Sequence, residues 1–132
     1  MEATVERDCT VAMTRFFHHL DRGHHEAVAA LMAEDGIWVR QGKELVGPGA
    51  VLEALRARPA DFVTRHLLSN LLVEITGDSE ATVAYELSVY GQTGTEAPRH
   101  LSILTGEDRL VHTAAGWRIR LKKARPVFSF PA

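Results

Sequence analysis

The chain contains 132 residues, a length typical of a single domain that buries roughly two-thirds of its unfolded surface. Its formal net charge of −2 argues against a general attraction to nucleic acids or anionic membranes, and its single cysteine, Cys9, excludes an internal disulfide and a CxxC metal or redox motif. The sequence shows neither an apolar run of about 18 residues nor a signal-peptide pattern at its N-terminus, so we expect a cytoplasmic protein with one domain over residues 1–132.

The first half of the chain has mainly helical periodicity. Apolar residues at helical spacing predict an amphipathic helix over residues 4–21, and Gly23 stands where a helix commonly ends. The further predicted elements are a helix over residues 24–33, a short strand over 36–40, turns at 42 and 47–49, and a third helix over 51–58.

From residue 63 onward the apolar period changes to two, which is typical of strands. Strands are predicted over residues 63–76, 81–91, 99–112 and 117–125, joined by short turns at 77–79 and 113–116 and by a longer polar loop at 91–98. Helices followed by an antiparallel meander predict an α+β fold in which the helices pack on one face of the sheet.

The first of these strands carries the most chemical information. Because side chains alternate between the faces of a strand, one face is expected to hold His66, Leu68, Asn70 and Leu72. The other face is expected to hold Leu67, Ser69, Leu71 and Val73. Both faces are mostly apolar, and a polar group on a buried face needs a hydrogen-bond partner or a ligand. We therefore predict that one face lines a pocket and that the other forms a subunit interface.

Four segments, taken in chain order, resemble one known family. They are residues 16–23 (FFHHLDRG), 31–38 (LMAEDGIW), 64–70 (TRHLLSN), and 108–111 (DRLV) with 116–119 (GWRI). This pattern resembles SnoaL-like proteins, which belong to the superfamily named after nuclear transport factor two and have a cone-shaped α+β fold. The superfamily includes polyketide cyclases, scytalone dehydratase, ketosteroid isomerase, limonene epoxide hydrolase, non-catalytic dioxygenase subunits and binding modules, so the resemblance implies the fold more strongly than the reaction.

The resemblance implies roles for two residues in particular. In dehydratase-like members, a histidine at the position of His66 faces the pocket as general base, and an aspartate at the position of Asp21 orients the catalytic groups. An imidazole titrates near neutrality and a nearby carboxylate fixes its tautomer, which suits these roles. The alternatives are a core histidine held by one hydrogen bond and a surface aspartate at a helix end.

Other candidate residues lie on the predicted strands. Asp108, on the face expected for Leu110, is either a second orienting carboxylate or a rim residue paired with an arginine. Tyr85 alternates with residues that the resemblance places inward, and both Tyr85 and Asn70 are suited to bind a developing oxyanion. The expected substrate-binding residues are Asn70, Trp38, Phe16, Leu68 and Leu87.

The sequence also departs from the dehydratase pattern. Gly91 stands where a second histidine is expected, and Leu20 stands where a tyrosine precedes the aspartate. The histidine pairs 18–19 and 24–25 lack metal-ligand spacing and are interpreted as exposed residues. Lys122, which alternates with apolar residues, is interpreted as part of the polar face of the last strand.

These observations lead to one preferred function and to alternatives from other classes. We expect a cofactor-independent lyase or isomerase in which His66 moves a proton on a carbon next to a carbonyl of an apolar, aromatic or polyketide-like ligand. The alternatives are a non-catalytic small-molecule-binding or scaffolding module and an accessory subunit of an oxygenase. No metal, nucleic-acid or membrane partner is expected, and a homodimer is expected to form through the convex face of the sheet.

Overall fold

A computed structural model describes residues 2–131 and shows an α+β fold. Its helices are α1 (Glu2–Asp21), α2 (His25–Ala29) and α3 (Gly47–Arg56). The buried stripe of α1 recurs every three or four residues, at Cys9, Met13, Phe16 and Leu20. This confirms the amphipathic helix predicted over residues 4–21. Among the described residues, no helix is long and apolar enough to cross a membrane.

Six strands form a single curved sheet against which the helices pack. They are β1 (Met32–Arg40), β2 (Lys43–Val46), β3 (Phe62–Gly77), β4 (Glu80–Thr93), β5 (Arg99–Thr113) and β6 (Gly116–Ser129). Their order across the sheet is β2-β1-β6-β5-β4-β3, and every neighbouring pair is antiparallel except β1 with β6. The four strands of the predicted meander are confirmed as β3 to β6.

The region between α2 and α3 differs from the prediction. The helix predicted over residues 24–33 ends at Ala29, because Met32 and Ala33 already belong to β1. Strand β2 was not predicted, since its four residues are too few to show a period. Gln41 and Gly42 have φ values of 52° and 77° and form the two-residue turn that joins β1 to β2. The predicted turn at 47–49 is instead the first turn of α3, where Pro48 lies near the helix N-terminus.

Strand β3 contains a bulge that interrupts the predicted alternation. Ser69 pairs with Glu86 and Leu72 pairs with Ala84, so β3 uses one residue more than β4 over this interval. Asn70 lies in the bulge with a φ of 52°, a left-handed conformation that asparagine tolerates better than most residues. The side chains after the bulge are therefore reversed: Leu72 is 58% exposed, whereas Leu71 packs on the core.

Strand β6 has a second irregularity with a comparable effect. Ile119 pairs with Leu110 and Leu121 pairs with Arg109. Over this interval β6 therefore contains one residue more than β5, which is a β-bulge. Ile119 is buried before the bulge and Lys122 is buried after it, although strict alternation would place them on opposite faces. The interpretation of Lys122 as part of an exposed polar face is therefore wrong.

Candidate functional site

A cavity of about 280 Å³ lies between α1 and the concave face of the sheet. Most of its lining is apolar or aromatic, interrupted by a few polar groups, as in many small-molecule sites. The lining residues that matter below are Phe17, Trp38, Arg40, Arg58, Phe62, Thr64, His66, Tyr85, Leu87 and Lys122. The lining comes from α1, from β1, from the connection between α3 and β3 and from the four long strands β3 to β6, so the cavity depends on most of the fold.

One side of the cavity is formed by His66, and the carboxylate of Asp21 lies directly behind it. Asp21 is the last residue of α1, and its Oδ1 lies 2.5 Å from His66 Nδ1. The same carboxylate accepts a hydrogen bond of 2.7 Å from the backbone N–H of His66 and one of 2.9 Å from the hydroxyl of Thr64. Three donors thus fix Asp21, whose side chain is 4% exposed, and Asp21 in turn fixes the ring of His66.

The electrostatics of this pair define the tautomer of the histidine. Burial by itself raises the pKa of Asp21, but the hydrogen bonds from the ring and backbone of His66 and from Thr64 outweigh it, so the pKa lies below its ordinary value. An ionised carboxylate at Nδ1 requires a proton on that nitrogen. In the neutral ring the lone pair is then on Nε2, the nitrogen that a ligand in the cavity can reach.

A second polar group lies at the floor of the cavity, where Tyr85 and Lys122 belong to the lining. The hydroxyl of Tyr85 donates a hydrogen bond of 2.8 Å to Asp108 Oδ1, and Lys122 Nζ donates one of 2.6 Å to Asp108 Oδ2. Lys122 Nζ also lies 3.3 Å from the oxygen of Tyr85, and the backbone N–H of Lys123 donates to Asp108 Oδ1. All three side chains of this Tyr85–Asp108–Lys122 group are at most 3% exposed.

The surroundings of this group are strongly apolar. The Nζ atom of Lys122 lies 4.4 Å from the ring centroid of Phe16 and 4.5 Å from that of Phe17, which stabilises a cation through the ring faces. Burial nevertheless lowers the pKa of Lys122, and the charge of Asp108 only partly opposes it. Burial also raises the pKa of Asp108 against the effect of the lysine, and it raises the pKa of Tyr85.

The structure brings together many but not all of the predicted site residues. His66, Tyr85, Trp38 and Leu87 line the cavity. Asp21 and Asp108 lie directly behind it, each hydrogen-bonded to a lining residue: Asp21 to His66, and Asp108 to Tyr85.

Three predicted substrate-binding residues lie elsewhere. Asn70 is exposed in the β3 bulge, so its predicted position beside His66 is wrong. Leu68 shares the face of His66 but packs on the core outside the cavity lining. Phe16 is fully buried below Lys122 and contacts Trp38 edge-to-face, so it supports the cavity wall from behind.

The sequence did not predict most of the other lining residues, among them Phe17, Arg40, Arg58 and Lys122. Phe17 follows Phe16 in α1 and contacts the ring of His66 at a centroid distance of 5.3 Å. The sequence shows Lys122 as a charged residue within a predicted strand, but its inward direction depends on the bulge in β6. Arg40 lies at the end of β1 and Arg58 in the connection between α3 and β3, where apolar periodicity does not show which way a side chain points.

The described part of the chain contains no cluster of three or more histidine, cysteine, aspartate or glutamate side chains with metal-binding geometry. Of the histidine pairs near the end of α1, His19 and His24 approach each other at 3.0 Å between their Nδ1 atoms. His18 and His24 are exposed, as interpreted from the sequence, whereas His19 and His25 are partly buried.

Comparisons with known proteins agree with this architecture. The sequence profile of the SnoaL-like domain matches residues 1–123, whereas a search of curated proteins found no significant match. A candidate scytalone dehydratase from Novosphingobium aromaticivorans is 24% identical, with 98% of this chain and 88% of that chain covered and a TM-score of 0.85. A candidate dehydratase of the nuclear-transport-factor-two-like family from Streptomyces avermitilis is 22% identical, with 98% and 100% covered and a TM-score of 0.82.

A third similar structure, from Catenulispora acidiphila, was solved in complex with the small molecule S-DNPA. It is 21% identical, with 92% of each chain covered and a TM-score of 0.79. At these identities the likeness establishes the fold.

Proposed function

Because the chain belongs to the SnoaL-like domain family, we propose that its cavity is the active site of a cofactor-independent lyase or isomerase that moves a proton on a carbon next to a carbonyl. The observation that carries this proposal is the Asp21–His66 pair at the cavity wall, with Nδ1 held by the carboxylate and Nε2 left for a ligand. Family members include dehydratases and polyketide cyclases, whose chemistry needs such a proton transfer.

The proposed reaction starts with proton abstraction by His66. Nε2 takes a proton from the carbon next to the carbonyl, and the ionised Asp21 stabilises the imidazolium that forms. The imidazolium then returns the proton, either to a leaving hydroxyl, which departs as water, or to another carbon of the same substrate. The first outcome is a lyase reaction and the second is an isomerase reaction.

The oxygen that becomes negative in this step needs hydrogen-bond donors. Tyr85 and Asn70 were the expected donors, but the hydroxyl of Tyr85 donates to Asp108, and Asn70 lies outside the cavity. Lys122 is better placed, because it lines the cavity and two of the three N–H bonds of its ammonium point to Asp108 and Tyr85. We propose that its third N–H bond donates to the developing oxyanion, where a donor in a dry site has its largest effect.

The proposed substrate is a small, flat and largely apolar ketone. The rings of Phe17, Trp38 and Phe62 form walls of the cavity, and the volume of about 280 Å³ limits the size of the ligand. The complex of the Catenulispora acidiphila relative with S-DNPA supports the binding of a small molecule in this fold.

The experiment is α-proton exchange, which tests the reaction class without a known substrate. A panel of bicyclic aromatic ketones, such as 1-tetralone and 2-tetralone, is incubated with the protein in deuterium oxide, and exchange next to the carbonyl is followed by NMR. We expect His66→Gln to slow enzyme-dependent exchange by about 10²–10⁴-fold, the usual contribution of a general base. His112→Gln is the matched control, since His112 is exposed on β5 away from the cavity.

Equal exchange in wild type and His66→Gln would exclude the proposed role of His66. The alternative function is a binding or scaffolding module, and it predicts tight binding of the same ketones without any enzyme-dependent exchange.

We further propose that two copies associate through the convex face of the sheet. The side chains of Leu67, Ile103 and Phe128 follow one row across the strands, because Leu67 pairs with Ser88, Ser88 with Ile103 and Ile103 with Phe128. Ile103 is partly buried in this row. Leu67 and Phe128 are 55% and 58% exposed, and such apolar bands are commonly covered by another protein surface. A two-fold axis would cover the band in both copies at once.

The test of the homodimer is sedimentation velocity of wild type and Leu67→Glu at tens of micromolar. The variant is expected to sediment as a monomer, because a dimer would bury the introduced charge. Val46→Glu is the control, since Val46 is 59% exposed on β2 at the opposite edge of the sheet. A monomeric wild type would favour a different protein on this face, as expected for an accessory subunit of an oxygenase.

A further inference from the structure

Two arginines that the proposed reaction does not use line the cavity. Arg40 is the last residue of β1, and Arg58 follows α3 in the connection to β3. Both side chains are partly buried. The β1–β2 turn next to Arg40 has a fixed geometry, because Gln41 and Gly42 both adopt positive φ values.

Each guanidinium lies over an aromatic wall of the cavity. The Cζ atom of Arg40 is 5.6 Å from the ring centroid of Trp38, and that of Arg58 is 5.5 Å from the ring centroid of Phe62. A guanidinium that contacts a ring by its face keeps its N–H groups free at the edge, where they match both oxygens of a carboxylate. The aromatic contacts therefore hold both arginines in place without occupying their donors.

Within residues 2–131, neither arginine forms an ion pair. Arg58 Nη2 lies 3.5 Å from the hydroxyl of Thr64, which itself donates to Asp21. The charge of Asp21 attracts Arg58, but both oxygens of that carboxylate already accept hydrogen bonds from His66. Burial and, for Arg58, repulsion by Arg40 lower the pKa of both guanidinium groups, which nonetheless stay charged at neutral pH.

The charges around the cavity do not cancel. Lys122 is matched by Asp108, and with the neutral His66 that the proposed reaction requires, Asp21 supplies one negative charge near the two arginines. Arg40 and Arg58 remain as two positive charges without a counter-charge in direct contact. The whole chain has a formal charge of −2, so this excess is local to the cavity. Unmatched cations on an apolar concave surface favour binding of an anion.

From this arrangement, and resting on the proposed function of the cavity, we infer that its natural ligand is an aromatic ketone that carries a carboxylate. Arg40 and Arg58 bind the carboxylate through their N–H edges, and the apolar walls cover the ring system. A carboxylate fits the pair better than a phosphate group, because two planar guanidinium edges match a planar monoanion and the sequence has no glycine-rich phosphate loop.

The test compares 2-naphthoate with 2-naphthamide, which has nearly the same shape but no charge. Isothermal titration calorimetry is carried out on the full chain, on Arg40→Gln, on Arg58→Gln and on the double variant. We expect wild type to bind the acid at least tenfold more tightly than the amide, each single variant to lose about tenfold for the acid, and all variants to bind the amide equally.

Arg56→Gln is the matched control for loss of one positive charge. Arg56 lies two residues before Arg58, is exposed, and pairs with Glu26 outside the cavity. Its substitution is expected to leave both affinities unchanged. A salt titration of wild type adds a measurement that needs no variant: added salt should weaken binding of the acid and leave that of the amide unchanged.

Equal affinity of wild type for acid and amide would overturn the inference while leaving the α-proton exchange of ketones untouched. A loss of acid binding in Arg56→Gln as large as in Arg58→Gln would overturn it as well, since the effect would then come from general charge. Preferred binding of the acid together with absent exchange would instead uphold the carboxylate site and remove the proposed catalysis.

Discussion

The carboxylates of Asp21 and Asp108 lie behind the same cavity and accept the same number of hydrogen bonds, but their pKa values are shifted in opposite directions. The side chain of Asp21 accepts three hydrogen bonds, two from His66 and one from Thr64. Asp108 also accepts three, from Tyr85, Lys122 and the backbone of Lys123. Yet the pKa of Asp21 is lowered and the pKa of Asp108 is raised.

Depth in the fold explains this difference. Asp21 ends α1 next to the exposed residues 22–24, whereas Asp108 is fully buried on a central strand. Desolvation therefore dominates at Asp108, and hydrogen bonding dominates at Asp21. The comparison teaches that equal numbers of hydrogen bonds do not give equal pKa shifts. The outer pair is suited to exchange a proton with a ligand, and the inner group is suited to hold its donors in fixed positions.

The largest expected effect comes from breaking the inner group. Lys122→Met leaves Asp108 buried without its ammonium partner, and removing one member of a buried pair typically costs about 3–5 kcal/mol. We expect a loss of that size in the free energy of unfolding at pH 7, measured by urea denaturation. The double variant Asp108→Asn with Lys122→Met should recover most of the loss, since it leaves no uncompensated charge.

The pH dependence of Lys122→Met sharpens the comparison further. Burial already raises the pKa of Asp108, and loss of the lysine removes an influence that lowers it. When the pKa of a carboxyl group is higher in the folded than in the unfolded protein, the group contributes most to stability at a pH below its unfolded pKa. That contribution is lost as the pH rises through its folded pKa. The single variant should therefore regain stability on acidification. A constant deficit from pH 3 to pH 7 would contradict this account.

A smaller effect is expected at the outer pair. Asp21→Asn weakens three charge-assisted hydrogen bonds at a barely exposed side chain, and we expect a loss of about 1.5–3 kcal/mol at pH 7. Because the folded pKa of Asp21 is lowered, its contribution is present above the ordinary value of 3.8 and is lost as pH falls through the folded pKa. The difference between wild type and variant should thus shrink below pH 3.8. Asp78→Asn, in the exposed β3–β4 turn, is the control.

The smallest of the three effects is expected at Gly106, which lies opposite Tyr85 on β5. A Cβ atom at this position would lie 2.2 Å from Tyr85 Cζ, so Gly106→Ala must displace the ring that donates to Asp108. Overpacking of this kind costs about 1–3 kcal/mol, again measured by urea denaturation. Gly49→Ala is the matched control, because no atom lies within 4 Å of its added Cβ. Equal stability of the two variants would show that the Tyr85 ring moves freely.

The sequence predicted the outer pair better than the inner group, for a physical reason. The family resemblance implied the roles of Asp21 and His66, and their positions hold because α1 is strongly periodic and β3 alternates regularly up to Ser69. Asn70 and Lys122 were misplaced because each lies at or just after a bulge, which reverses every later side chain of its strand. A bulge leaves no signal in apolar periodicity, so the position of Lys122 could not be derived from spacing.

The predicted fold class and the four long strands are confirmed, because long apolar periods determine them. Strand β2 was missed since it has four residues, and the arginines were missed since they lie where periodicity ends. The outward position predicted for Leu71 and Val73 is also wrong, because the β3 bulge turns both toward the core. Leu67, which precedes the bulge, keeps its predicted outward position.

The parallel pairing of β1 with β6 has a consequence for how the protein folds. Met32 pairs with Ile119, so the strand that follows α2 finds its neighbour only when the last strand is available. Contacts between residues so far apart in sequence require closure of a long loop, and chains rich in them fold on the slower scale of milliseconds to seconds. Lys122 arrives with β6, so the floor of the cavity is completed late. During synthesis, a chain that has not yet released β6 from the ribosome is expected to form α1 and the β3–β4 hairpin but lacks the floor of the cavity.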